Sequence, residues 1–374
     1  MSMRSRDSIG AAVISRLLMR KRSRNACTRL AANSIRDSRA AFSPPSGKRS
    51  SIYWGITSWE AYRDVVRVGR GSPLSPRQRR QLWDVFARAQ EDLDRNGRAT
   101  WGDVCDRLRQ IIDEEGVRPF RHVIVDEAQD LGPRELRLVA ALAAPGPRAL
   151  FFAGDIGQRI YRWPFSWLAA GVDVRGRAQR LRVNYRTSAE IRRFSDALLS
   201  PTLAEIDGEQ ETRQTISVLR GPESEIARGQ TVDDEIAALV HWLHDLQARG
   251  FAPGQIALFG RTRQLVRERA EPALTQAGFA GRWLSPDSDL ATHAVAIGTM
   301  HAAEGLEFRA VALVGCDAQH VSLKSALARA DGKEARELVE ERERHLLYVG
   351  CTRARESLLV TYSGKLTPYL APTR

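Results

Sequence analysis

Between residues 122 and 153 the chain alternates in a way that few folds accommodate. His122-Val123-Ile124-Val125 is a short β-rich run that stops on Asp126-Glu127. Ala149-Leu150-Phe151-Phe152-Ala153 is a second, stopping on Gly154-Asp155, and residues 133–144 between them read as a helix. Strand, helix and strand in that order call for a parallel pair joined by a right-handed crossover, hence an α/β architecture. The pattern returns in the second half, with strands expected over 216–219, 256–259, 294–297, 310–314 and 358–361 and helices over 233–248, 262–277 and 334–349. Ile236, Val240, Leu243 and Leu246 give the first of these helices an apolar face, and Gly250 stops it. A length of 374 residues suits two such domains, joined near residues 200–215. Upstream, Leu82, Val85, Phe86, Ala89 and Leu93 have helical spacing, Asn96-Gly97 interrupts it, and Thr100 caps a second helix carrying Val104, Leu108, Ile111 and Ile112.

Composition narrows the function classes. Hydrophobic residues make up 43% and charged residues 27%, the range of a folded soluble chain. No apolar run reaches the roughly 18–20 residues that a bilayer requires, so no membrane role and a cytoplasmic location are expected. Four scattered cysteines without CxxC spacing exclude a disulfide scaffold or zinc finger. The net charge of +12 is unevenly held: residues 1–50 carry 12 Lys/Arg against two Asp/Glu, and the remainder 45 against 43. A nucleic-acid argument from overall charge therefore fails for the body of the chain. The basic, Arg- and Ser-rich leader reads as a disordered tail, a transit peptide or translation from a displaced start, with the first and third preferred. Gly47-Lys48 imitates the end of a phosphate loop, but Arg49 stands where a hydroxyl is needed and Phe42 where the first glycine belongs.

Chemistry concentrates where the first strand ends. Ligands of parallel sheets bind outside the carboxyl ends of strands. Two adjacent carboxylates there can divide labour, one holding Mg²⁺ and the next orienting or deprotonating water. A bare Asp-Glu pair is more often a solvated turn, but the run VIVDEAQDL adds Gln129 and Asp130 at fixed offsets.

That run resembles the Walker B motif of superfamily 1 DNA helicases of the UvrD/Rep type, and five further blocks follow in the family's order. Gly154–Trp163 (GDIGQRIYRW) is similar to motif III, Asn184–Ser188 (NYRTS) to motif IV, and Ile256–Arg261 (IALFGR) to the strand before the second-domain loop. Thr299–Phe308 (TMHAAEGLEF) resembles motif V, and LLYVGCTRARE within 341–355 resembles motif VI. The resemblance covers about residues 119–364. It implies two RecA-like parallel-sheet domains, the first incomplete. Their expected bounds are a leader over 1–50, a helical insertion-like segment over 51–118, the remainder of the first domain over 119–205 and a second domain over 206–374.

By resemblance the chain is an ATP-dependent helicase or translocase moving 3′ to 5′ on single-stranded DNA, with ATP and Mg²⁺ as cofactors. Asp126 is then the Mg²⁺ carboxylate, Glu127 the general base and Gln158 the γ-phosphate sensor. Arg186 and Arg353 stabilise charge on the transferred phosphoryl group. Tyr185 stacks on adenine, Gly305 lies in the cofactor-binding set and Glu307 accepts from the ribose. Tyr161 and Trp163 supply stacking for bases, with His301 a further DNA contact and Trp167 expected in the core.

Three departures stand out. No GxxGxGKT run occurs in residues 1–118, although that loop cradles the phosphates and ligates Mg²⁺. The expectation is therefore weak or absent ATP hydrolysis by this chain alone. The alternatives are a non-catalytic fragment that binds nucleic acid or a partner, or half of a split enzyme whose partner chain supplies the loop. Glu304 stands where motif V has Lys. Finally, the 33 residues from 264 to 296 leave no room for the family's large mobile insertion.

Overall fold

A computed structural model of the protein describes residues 55–370, apart from 57, 65–74, 159, 161–164, 200–201, 204–210, 213–214, 286–292, 322–326 and 328–332. The expectations for the leader, Tyr161 and Trp163 lie outside the described residues.

The chain opens with three helices, α1 (Trp59–Asp64), α2 (Pro76–Arg95) and α3 (Trp101–Glu114). Ser75 and Thr100 each cap a helix by accepting from the third backbone N–H within it. α3 is tied to the next layer by Arg134, whose buried guanidinium donates to Asp103 at 2.7 Å and Asp106 at 2.8 Å. There follow β1 (Val123–Val125), α4 (Pro133–Leu142) and β2 (Leu150–Phe152), with β1 and β2 parallel and in register from Val123↔Leu150 to Val125↔Phe152. This is the expected strand–helix–strand unit. Val125, Leu150 and Phe152 pack toward a cluster containing Leu136, Phe165 and Trp167, and Trp167 is buried with its ring edge-on to Phe152.

Short elements within 183–217 follow in the chain. β3 (Val183–Asn184) pairs in parallel with β6 (Ile216–Ser217). The helix between them, α5 (Ala189–Asp196), buries Ile191 in the apolar cluster of the second half, where Leu198 and Leu199 join it. β4 (Thr202–Leu203) and β5 (Glu211–Thr212) form a small antiparallel ladder.

The second half is one six-stranded parallel sheet. β7 (Glu225–Gly229), α6 (Val232–Ala248) and β8 (Ile256–Gly260) come first, followed by a helical stretch over 263–277 whose middle, Val266–Ala270, is π-helical. β9 (Gly281–Trp283), β10 (Val295–Thr299), β11 (Phe308–Val314), α7 (Lys333–Thr352) and β12 (Ala354–Ser363) complete it. The strand order is β7-β12-β11-β8-β10-β9. All five residues of β8 are buried, as expected for a central strand covered on both faces. β7 and β9 are edges, and only half-covered edges lack the continuous apolar run that betrays a central strand. That is why neither was legible in the sequence.

One buried carboxylate locks this sheet. Glu235 in the first turn of α6 is fully buried and accepts from Gly315 N–H at 2.8 Å, Thr361 Oγ1 at 2.7 Å and Arg269 Nε at 3.2 Å. It thereby joins α6, the π-helical turn and the ends of β11 and β12.

Candidate nucleotide site between the two domains

The carboxyl end of β1 makes an abrupt turn. Glu127 has φ +54°, the one non-glycine residue with positive φ among the described residues. Holding an L-residue with a long side chain there is strained, and such strain gathers at functional positions. Three bonds hold it: Glu127 N–H donates to Asp126 Oδ1 at 2.9 Å, Gln129 Nε2 donates to the Glu127 carboxylate at 2.7 Å, and Ala128 N–H donates to the Ala153 carbonyl at 2.9 Å. Asp126 itself is exposed beyond the strand end.

Gln129, which sequence reasoning quoted without giving it a task, is buried and links the two strand ends, because its Oε1 accepts the Asp155 N–H at 3.1 Å. The neighbouring Gly154 is required by this contact: a Cβ there would lie 2.4 Å from Gln129 Oε1. Asp155 in turn accepts from Gly157 N–H at 2.9 Å and Gln158 Nε2 at 3.1 Å, which fixes the Gln158 amide.

The second domain meets this turn directly. Arg353, buried just after α7, donates Nη2 to Gln158 Oε1 at 2.6 Å and Nε to the Val349 carbonyl at 3.1 Å. Burial, then the Arg186 charge, lowers its pKa, while Glu127 and Glu304 act in the opposite sense. Tyr348 donates its hydroxyl to Asp155 at 3.2 Å. Thus Glu127, Gln158, Arg186 and Arg353, distant in sequence, share one electrostatic neighbourhood. Glu304 lies within it, so the charge reversal noted in the sequence sits beside the arginines.

Arg186 follows Asn184, whose side-chain carbonyl accepts the N–H groups of Arg186 and Thr187 at 2.8 and 3.2 Å. Its guanidinium pairs with Glu307 at 3.2 Å, and both side chains remain accessible. Tyr185 beside them is exposed. Gly305, two residues before Glu307, has φ +73°, a turn that glycine adopts without strain. His301 is half-buried, and burial, followed by the charges of Arg261 and Arg342, pushes its pKa down to about 4, so it is neutral at physiological pH. Arg261 is itself held by a two-pronged bond to buried Glu343 at 2.7 and 2.8 Å. Tyr348, Arg342 and the Arg261–Glu343 pair were missed in the sequence, where one arginine among so many carries no signal.

The fit to a magnesium nucleotide is one-sided. An exposed aspartate beside a second carboxylate, a fixed amide and two arginines have the chemistry to suit the γ-phosphate end. Among the described residues no group of three or more His, Cys, Asp or Glu is arranged to hold a metal unaided, and Mg²⁺ ordinarily leans on substrate phosphates and water. For the inner phosphates the sequence offers no glycine-rich loop.

Two parallel-sheet domains that meet over a strand-end carboxylate pair, one handing an arginine to the other's glutamine, form the RecA-like tandem arrangement. The family model of the UvrD/REP helicase N-terminal domain matches residues 70–167, and that of the UvrD-like helicase C-terminal domain matches residues 283–365. Both matches are to UvrD/REP-type helicase domains, in the order that the motif blocks follow along the chain. It is 25% identical over 270 residues to DNA helicase IV of Escherichia coli, covering 68% of this chain and 36% of that protein. It is 24% identical over 266 residues to a probable DNA helicase of Mycoplasma pneumoniae, covering 68% of this chain and 46% of that protein. A stretch of 74 residues, 20% of this chain, is 43% identical to the ATP-dependent DNA helicase UvrD2 of Mycobacterium tuberculosis and covers 10% of it. The chain therefore spans less than half the length of these relatives.

Proposed function

We propose that this chain is the motor portion of a UvrD-type helicase or translocase that moves 3′ to 5′ on single-stranded DNA and uses ATP with Mg²⁺. The observation that carries the reading is the Arg353–Gln158 bond between the domains. An arginine that reaches a sensor amide across a domain boundary makes phosphate-end chemistry depend on how the domains meet, which is the requirement for converting nucleotide turnover into movement. In this reading Asp126 holds Mg²⁺ and Glu127 serves as base. Gln158 and Arg353 exchange their mutual bond for the γ-phosphate, and Arg186 leaves Glu307 to assist. Tyr185 stacks on adenine, Gly305 and Glu307 serve the ribose side, and Tyr161, Trp163 and His301 belong to the DNA path. The test is MgATP hydrolysis with and without single-stranded DNA. Stimulation that disappears in Glu127→Gln supports the reading; folded protein without stimulated hydrolysis contradicts it.

A second reading is favoured by one feature of the first domain. The face of β1 and β2 opposite their core is open, with Ile124 76% and Phe151 62% exposed. On this reading a strand–helix unit carrying the phosphate loop comes from outside the described residues and covers that face. ATP affinity then rises by orders of magnitude when the unit is supplied in trans. Tight ATP binding by this chain alone refutes the second reading.

A further inference from the structure

The segment Asp155–Ile160 is anchored less by its own sheet than by the opposite domain. Ile160 directly precedes Tyr161, yet it is 2% exposed and belongs to the second domain's apolar cluster with Met300, Leu313 and Leu346. Its carbonyl accepts two bonds from one guanidinium, Arg342 Nη2 at 2.9 Å and Arg342 Nε at 3.3 Å. Arg342 lies on α7, the helix that also presents Tyr348 to Asp155 and leads into Arg353, the donor to Gln158. Three side chains, running from the middle of one helix to its exit, therefore hold the first, the sensor and the last residue of this short stretch. Among the described residues, the bond from the first domain to this stretch is the one in which Gln129 Oε1 accepts the Asp155 N–H.

We propose that Arg342 is a positioning residue that fixes the root of the stretch ahead of Tyr161 and Trp163 to the second domain. Gln158 and Ile160 then follow α7 rather than the sheet carrying Asp126 and Glu127. A planar fork gripping one carbonyl sets both distance and direction, which a single donor does not. The functional consequence rests on the motor reading above: relative movement of the domains is delivered to the sensor and to the adjoining aromatic residues through this grip.

The experiment is hydrogen exchange of the full chain, read on peptides covering 155–160 and 308–314, for wild type, Arg342→Lys, Arg342→Gln and Arg342→Ala. The expected result is exchange at 155–160 faster by on the order of tenfold in the Ala and Gln variants. The Lys variant, which keeps a charged donor, lies between, and β11 is unchanged in all. Unchanged exchange at 155–160 in Arg342→Ala overturns the proposal. So does an equal rise in 308–314, which marks general loss of stability rather than a local grip.

A second readout separates this inference from the motor reading. The affinity for a labelled oligothymidine is measured with and without MgATP. In wild type the nucleotide shifts the affinity, and in Arg342→Ala the ratio falls toward one. Absence of any nucleotide effect in wild type counts against the motor reading, while hydrogen exchange still decides the anchor.

Discussion

β8 of the second domain has no exposed residue, whereas β1 of the first leaves Ile124 76% exposed. Both are apolar strands of parallel sheets, and such sheets are stable when both faces are covered. β8 lies between β11 and β10 with helices on either side. Among the described residues β1 pairs with β2 alone, and only the face bearing Val123 and Val125 meets an apolar cluster. Val183 and Ile216 repeat the pattern, in register and both exposed. The first domain of the described residues is thus held from one side of its sheet and from its neighbour, through α5 in the second core and through the grip of α7. Buried apolar packing is concentrated in the six-stranded sheet, while the candidate nucleotide groups lie at the end of the thinner one.

Mutations can break or sharpen that contrast. Glu235→Ala removes the acceptor that Gly315, Thr361 and Arg269 share in a fully buried setting. It should cost about 3–5 kcal/mol, measured by denaturant unfolding with second-domain tryptophans as the probe. A loss under about 1 kcal/mol would place the lock elsewhere. Leu258→Ala in the middle of β8 should cost about 2–5 kcal/mol in the same assay.

His301 makes the contrast depend on pH. Its folded pKa of about 4 lies below the ordinary 6.5, so the unfolded chain takes up the proton first as pH falls. Stability is therefore full above about 6.5, declines through the window down to about 4, and flattens below it. The loss is on the order of 3 kcal/mol. A pH series of thermal unfolding on wild type and His301→Asn should show that slope in the former and lack it in the latter. The smallest effect belongs to the open face. Ile124→Ala should change stability by no more than about 0.5 kcal/mol, against several for Leu258→Ala. A large loss at Ile124 would mean that the face is covered in solution.

Much of this was legible in the residues. The cap at Thr100, the strand–helix–strand unit around Asp126 and the central strands of the second sheet follow from periodicity and turn chemistry that act within a few residues. The motif blocks named Glu127, Gln158, Arg186 and Arg353 as a set. The edge strands β7 and β9 were not legible, because half-exposed strands need no apolar run. Nor were Arg342, Tyr348 and Gln129, whose roles depend on which backbone atoms lie opposite them after folding.

The sequence by itself determined the element order, the carboxylate pair at a strand end and the resemblance to helicase motifs, since local patterning and motif order are written along the chain. Only the tertiary structure decided that Glu127 sits at positive φ, that Arg353 meets Gln158 and that Ile160 is seated in the other domain's core. Those are contacts between residues up to 195 positions apart, and their partners are chosen by packing and desolvation of the whole fold rather than by spacing in the chain.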